Sequence, residues 1–210
     1  LIVFGAVLFF IFEYNNPLTM GNYNLFDKIQ LSLFQSVTTR TAGFATIPQE
    51  NFTNASAVIS LLLMFIGGSP VGTAGGVKTV TIAVLVITAY SMVKDKNEIT
   101  VFNRAISQKA VKKAIAVVGT SFVIMFVSTV LLSLVTDADV IDVLYETVSA
   151  TATVGLTRNL TSSLNIWGKF IIITTMYLGR IGPITLAIAL NTKKDKQNIV
   201  KTPYEDISVG

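Results

Sequence analysis

Apolar positions along this chain gather into long runs separated by short polar breaks. Residues 1–12 are uniformly apolar, and 13–24 are polar, with Asn15-Asn16-Pro17 and Gly21. Over 25–39 the pattern turns mildly amphipathic: Leu25, Ile29, Leu33, Phe34 and Val37 recur near a helical period, and Asn24 stands where a cap belongs. Residues 57–66 and 80–93 are apolar on either side of a break at 67–78 that contains five glycines. Residues 114–135 form an unbroken run, 140–151 a second short amphipathic segment, and 170–190 a last apolar run interrupted by Gly179-Arg180-Ile181-Gly182-Pro183. The pattern predicts helices throughout.

Run length sorts these helices. The 22 residues of 114–135 carry no charge and suffice to cross a hydrocarbon core of about 30 Å. The first run, at about 1.5 Å per residue, is too short to span, so the chain is expected to begin inside a helix. It starts with Leu and lacks the basic segment and cleavage site of a signal peptide, which reads as a piece of a longer protein. The segment 25–39 is too short to cross and return. It fits a re-entrant helix, because irregular backbone at membrane depth is tolerated only where it is buried or lines water.

Composition agrees, with 51% hydrophobic and 13% charged residues. The absence of Cys and His excludes disulfides, thiolate or imidazole metal sites and a His-based triad, and with no acidic pair inside a span an enzyme is not expected. The net charge of +4 does not point to nucleic acid, since ten of the sixteen Lys and Arg lie in two segments: Lys94, Lys96, Arg104, Lys109, Lys112 and Lys113, then Lys193, Lys194, Lys196 and Lys201. By the positive-inside rule both are cytoplasmic, including the C-terminus. Residues 137–146 hold Asp137, Asp139, Asp142 and Glu146 without Lys or Arg, as expected for the opposite side. These acids either concentrate cations at an outer mouth or complement a helix N-terminus.

The strongest organisational feature is a repeat of about 112 residues. Thr41-Ala42-Gly43-Phe44 aligns without gaps with Thr153-Val154-Gly155-Leu156, each after a short amphipathic segment and before a long apolar run. In K⁺ channels a Thr-Val-Gly-Tyr-Gly loop turns successive carbonyls toward the ion, and glycine suits such a turn because it reaches φ > 0. These eight residues are therefore candidate filter positions, with K⁺ expected at Gly43 and Gly155. The Tyr and second Gly of the channel signature are replaced by Phe44-Ala45 and Leu156-Thr157.

The expected architecture is all-α, a tandem helix–pore helix–filter–helix repeat. The units are 1–93 with a truncated first helix, a basic linker 94–113, a second unit 114–190 and a cytoplasmic tail 191–210. The break at 67–78 reads as two half-helices around an intramembrane loop, since Gly and Pro at that density do not continue a helix. Its candidate gating residues are Gly67, Gly68, Ser69, Pro70, Gly72, Thr73, Ala74, Gly75, Gly76 and Lys78. A phosphate-binding loop is excluded because Val77 separates Gly76 from Lys78 and no strand precedes. Arg180, a charge inside an apolar run, is expected to face the pore and donate to carbonyls of this loop. Lys78 is either a second intramembrane cation or the loop's inner end. Arg40, beside the first candidate filter, is expected to turn sideways into an ion pair.

Three motifs together, Ser-Val-Thr-Thr-Arg-Thr-Ala-Gly-Phe at 36–44, Gly-Gly-Ser-Pro-Val-Gly-Thr-Ala-Gly-Gly-Val-Lys-Thr at 67–79 and Tyr-Leu-Gly-Arg-Ile-Gly-Pro at 177–183, resemble the Trk/Ktr/HKT superfamily of potassium transporters. The likeness is strongest to the ion-translocating membrane subunits of bacterial Ktr systems. It implies four such repeats around a pseudo-fourfold pore, this chain supplying the third and fourth. It also implies that 67–78 is the gating loop and Arg180 the basic residue facing it. A homodimer in the bacterial cell membrane, surrounded by lipid and docked on a cytoplasmic ring of nucleotide-binding regulatory subunits, follows from the same likeness. The expected cargo is K⁺, with Na⁺ a candidate co-ion and no organic cofactor. The rival expectation is a secondary transporter binding a small anion between broken helices near Arg180.

Overall fold

The computed structural model describes residues 1–69, 75–94, 99–101 and 104–182. Pro70, Gly72, Thr73 and Ala74 of the candidate gate, with Lys96, Pro183 and the basic tail, lie outside the described residues. Eight α-helices make up the described architecture: α1 (Ile2–Glu13), α2 (Leu25–Thr38), α3 (Asn54–Phe65), α4 (Thr79–Val93), α5 (Gln108–Ser133), α6 (Val140–Thr151), α7 (Leu160–Ser163) and α8 (Ile166–Ile181). Among the described residues only α5 is long and apolar enough to cross a membrane, while α1, α3 and α4 are shorter apolar helices.

Local chemistry explains where several helices begin. Thr53 and Asn165 occupy matching places in the repeat, and the side chain of each accepts a backbone N–H of the first turn, Ser56 for α3 and Gly168 for α8. Asn24 and Asp139 sit at the N-cap positions of α2 and α6 without a side-chain cap bond. Helix α5 starts at Ser107, whose side chain accepts from the Ala110 N–H. Lys109, Lys112 and Lys113 therefore belong to a helix and not to a linker, as befits strong helix formers. The preceding stretch of the basic linker holds a minimal hairpin of β1 (Thr100–Val101) and β2 (Arg104–Ala105), so the chain is mostly rather than wholly helical.

The last helix ends inside the stretch 179–183 where a break is expected: α8 runs through Gly179 and Arg180 to Ile181, and the chain leaves helical geometry at Gly182, φ +86°. Gly179 serves close packing. A Cβ there would collide with the Thr151 carbonyl, so its lack of a side chain lets α8 lie against the end of α6.

The surface is strongly apolar, while the interior mixes apolar clusters with small polar residues. Large apolar side chains stand exposed on α1 (Val3, Phe4, Val7), α5 (Phe122, Val123, Phe126) and α8 (Trp167, Phe170, Ile173), far more than a water-facing surface ordinarily carries. Small polar residues are buried: Ser32, Ser36, Thr38, Thr39, Ser56, Ser60, Ser128, Thr147, Thr151 and Thr175. They join helices, as where Thr175 Oγ1 donates to Ser128 Oγ over 2.7 Å between α8 and α5, and where the Thr129 and Thr147 hydroxyls meet at 2.8 Å between α5 and α6. Glue of this kind suits helices whose outer faces meet lipid tails, where apolar contact drives no association. α1 crosses α2 and α3 at Gly5, beside Ser36 and Leu63.

Candidate functional site

Helices α2 and α6 end at Thr38 and Thr151, immediately before the two candidate filter segments. There the backbone takes an unusual course twice. Thr41 and Gly43 have φ of +65° and +75°, Thr153 and Gly155 +55° and +94°, while Ala42 and Val154 between them keep negative φ. Threonine, being β-branched, rarely adopts positive φ. Its doing so at both matching positions marks a constraint stronger than local preference, and alternation in the sign of φ turns successive carbonyls to one side.

In both segments the backbone donors turn back onto the preceding helix, though through different acceptors. Ala42 and Gly43 N–H groups both donate to the Thr38 carbonyl over 3.2 Å. In the second segment Thr153 N–H donates to Ala150 O, Val154 N–H to Ser149 O and Gly155 N–H to Ser149 Oγ, at 2.9–3.1 Å. No donor among the described residues is bonded to the carbonyls of Thr41, Ala42, Gly43, Thr153, Val154 or Gly155. Carbonyl oxygens that meet no donor among the described residues, at helix ends carrying partial negative charge, are groups of the kind that can replace a cation's hydration shell. The segments touch directly, since a Cβ on Gly43 would run into the Val154 carbonyl.

The glycine-rich break lies against both segments. Its two ends are tied by a parallel bridge between Ile66 and Val77, with Gly67 N–H donating to Val77 O over 2.9 Å, Val77 N–H to Phe65 O over 3.3 Å and Thr79 N–H to Gly68 O over 3.3 Å. On one side Arg40 Nη2 donates to the Gly67 carbonyl over 3.4 Å. This corrects the expectation of an ion pair: the arginine's partner is a carbonyl of the loop. On the other side Gly75 and Gly76 abut the second segment, where side chains on them would meet Thr153 and Ala152. Gly76 has φ +69°, so glycine answers both the turn and the contact. Thr153 Oγ1, facing Gly75, is buried without a hydrogen-bond partner among the described residues. Gly68 is buried and Ser69 exposed. Lys78 is the N-cap residue of α4, at the loop's exit, and Arg180 lies exposed in the last turn of α8, next to the Gly179 contact with α6.

On the side of the helix-connecting loops, two buried carboxylates organise the backbone. Glu13, fully buried at the end of α1, accepts from Asn16 Nδ2 (2.7 Å), Thr19 Oγ1, Thr53 N–H (3.0 Å) and Thr53 Oγ1 (2.8 Å), joining α1 to the start of α3. Glu146 on α6 accepts from Thr157 Oγ1 (2.8 Å) and Thr161 Oγ1, both downstream of the second segment. Asp142 pairs with Arg158 Nε at 2.6 Å. Two of the four acids expected on this side thus hold a loop. Glu13 escaped sequence reading because it sits at the polar edge of an apolar run, where an acid ordinarily marks only a helix end.

Comparison with known proteins places this geometry. A family model described as a cation transport protein, TrkH, matches residues 1–202. The chain is similar to the Ktr system potassium uptake protein B of Bacillus subtilis (38% identity over 96% of this chain and 45% of that protein) and of Vibrio alginolyticus (36%, over 100% and 46%). It is also similar to the potassium/sodium uptake protein NtpJ of Enterococcus hirae (34%, over 100% and 48%). The chain therefore spans about half the length of these relatives. The potassium transporter TrkH of Vibrio parahaemolyticus shares the fold, with a TM-score of 0.74 at 21% identity over 91% of this chain and 42% of that structure. With the fold and a family match across nearly the whole chain in agreement, the chain belongs to the TrkH family of cation transport proteins.

Proposed function

We propose that the chain forms part of a K⁺ uptake pore in the bacterial cell membrane, with residues 41–44 and 153–156 as two walls of its selectivity filter. The observation that carries this reading is the paired backbone: positive φ at Thr41 and Gly43 and again at Thr153 and Gly155, with no donor among the described residues on the intervening carbonyls. Relatives named for potassium uptake, and one for potassium and sodium uptake, support K⁺ as cargo and make Na⁺ the candidate second ion. In this reading the chain is two helix–pore helix–filter–helix units, 1–93 and 114–190, with α2 and α6 as the pore helices.

The loop from Gly67 to Lys78 is the gate. Support for this reading comes from its described ends, which reach the first segment through Arg40 and the second through Gly75 and Gly76. Arg180 is its basic counterpart at the end of α8. Arg104, Lys109, Lys112 and Lys113 stand exposed at the start of α5 and before it, which supports a cytoplasmic docking surface there for a nucleotide-binding regulatory ring under a homodimer.

The test is K⁺ uptake by the full-length protein in a bacterium lacking its own K⁺ uptake, wild type beside Gly155→Ser. A side chain at φ +94° strains the turn by about 1–3 kcal/mol and displaces its carbonyls. Rescue at low K⁺ is expected to fall or to shift toward Na⁺. A Gly155→Ser variant indistinguishable from a rescuing wild type would overturn the filter assignment and favour an anion site near Arg180.

A further inference from the structure

Behind the two candidate filter segments lies a buried polar link that the repeat does not duplicate. The chain leaving the first segment makes a 3₁₀ turn at Gln49–Asn51, and the Gln49 side chain points inward, 2% exposed. Its Nε2 donates to Gln35 Oε1 (3.2 Å) and to the Ile47 carbonyl (2.8 Å). Its Oε1 accepts from Gln35 Nε2 (2.7 Å) and from the Tyr145 hydroxyl (2.8 Å). Gln35 belongs to α2 and Tyr145 to α6, so one amide joins the two helices that lead into the two segments.

The far end of this link bears directly on the second segment. Tyr145 is fully buried, in a cluster with Met64, Val148, Ala152, Val154 and Leu156, so the apolar side chains of the segment rest against its surroundings. From the other direction Arg158, two residues past Leu156, donates to the Gln49 and Glu50 carbonyls over 2.8 and 3.2 Å while paired with Asp142. The backbone of Gln49 is thus fixed by the second unit and its side chain by both. At the matching positions the second unit has Thr147 for Gln35 and Thr161 for Gln49, and Thr161 bonds within its own unit to Glu146 and Thr157.

We infer that Gln49 and Tyr145 are positioning residues for cation discrimination, a transverse brace setting how far the first and second filter segments stand apart. The inference rests on the proposed pore. Carbonyls that replace a hydration shell discriminate between ions only while their spacing is held, and a fully satisfied buried amide is a stiff way to hold it.

The experiment compares K⁺ and Na⁺ influx into liposomes containing the full-length protein as wild type, Tyr145→Phe, Gln49→Met, the double variant and Gly155→Ser. Tyr145→Phe keeps the ring and removes only the hydroxyl. One hydrogen bond of ordinary strength corresponds to about a fivefold change in an equilibrium. The K⁺ to Na⁺ ratio is expected to fall about that much in each single variant with K⁺ influx retained, and the double variant to fall no further than Gln49→Met alone, as two members of one link should. An unchanged ratio in both single variants, even with a lowered melting temperature, would make the link merely structural and overturn the inference. If Gly155→Ser shifts the ratio while these do not, the brace alone fails. If Gly155→Ser is also silent, the pore reading fails with it.

Discussion

Phe44 and Leu156 hold matching places at the ends of the two candidate filter segments, yet Phe44 is 71% exposed and Leu156 only 3%. The backbones agree and the surroundings do not. Val154 and Leu156 are buried in part by the first unit, through Met64 with Leu61 and Phe65 of α3, and Gln49 reaches across behind them. The first segment has no comparable cover from the described residues on the side of Phe44. A segment of this kind is therefore shaped by its own short helix but buried by its neighbour. Its φ angles are a local property, and its rigidity belongs to the junction between units.

Three perturbations sharpen that distinction. The largest effect should come from Gly43→Ala set beside Gly155→Ala. Both impose a side chain at positive φ, about 1–2 kcal/mol each, but at Gly43 the new carbon also collides with the Val154 carbonyl, whereas Gly155 has open space around it. Gly43→Ala is expected to abolish K⁺ uptake and lower the melting temperature of the purified protein, and Gly155→Ala to alter uptake with a smaller thermal shift. Equal thermal losses would show that the contact between segments is unimportant.

Next come the matched caps. Thr53→Ala removes both the α3 cap and a ligand of the buried Glu13 carboxylate, about 2 kcal/mol together, and Asn165→Ala removes the α8 cap and a bond to the Val135 carbonyl, about 1–2 kcal/mol. Chemical denaturation in detergent should rank Thr53→Ala as the less stable. The reverse order would mean that Glu13 finds another partner.

The smallest effect is expected at Thr153→Val, which keeps the shape and removes a hydroxyl that has no partner among the described residues. Relieving a buried, unsatisfied group should leave stability unchanged or raise it by about 1 kcal/mol. A fall in melting temperature measured in K⁺ but absent in choline would instead identify the hydroxyl as an ion ligand.

What could be read in advance follows the range of the forces involved. Helix α6 coincides with its amphipathic segment and α2 ends within a residue of its own, because periodicity is local. The Thr-x-Gly pairs were legible as a repeat and their glycines suit positive φ, but positive φ at Thr41 and Thr153 runs against threonine's own preference and could not be read in advance. The extension of α5 back to Gln108 was hidden because charge suggested a loop, while lysine is also a good helix former. Within the break expected at 179–183, the sequence does not tell Gly182, where the helix ends, from Gly179, which admits a neighbour. The partners of Arg40, Gln49 and Glu13 lie 27, 96 and 40 residues away, and no periodicity points across such distances.

The bridge between Ile66 and Val77 has a mechanical consequence. With Gly67 bonded to Val77, Val77 to Phe65 and Thr79 to Gly68, the glycine-rich stretch hangs from a narrow neck, and α3 and α4 meet at that neck instead of being strung apart by the loop. A force that tilts α4 is therefore passed through these three bonds straight to the end of α3, without travelling the length of the chain between them.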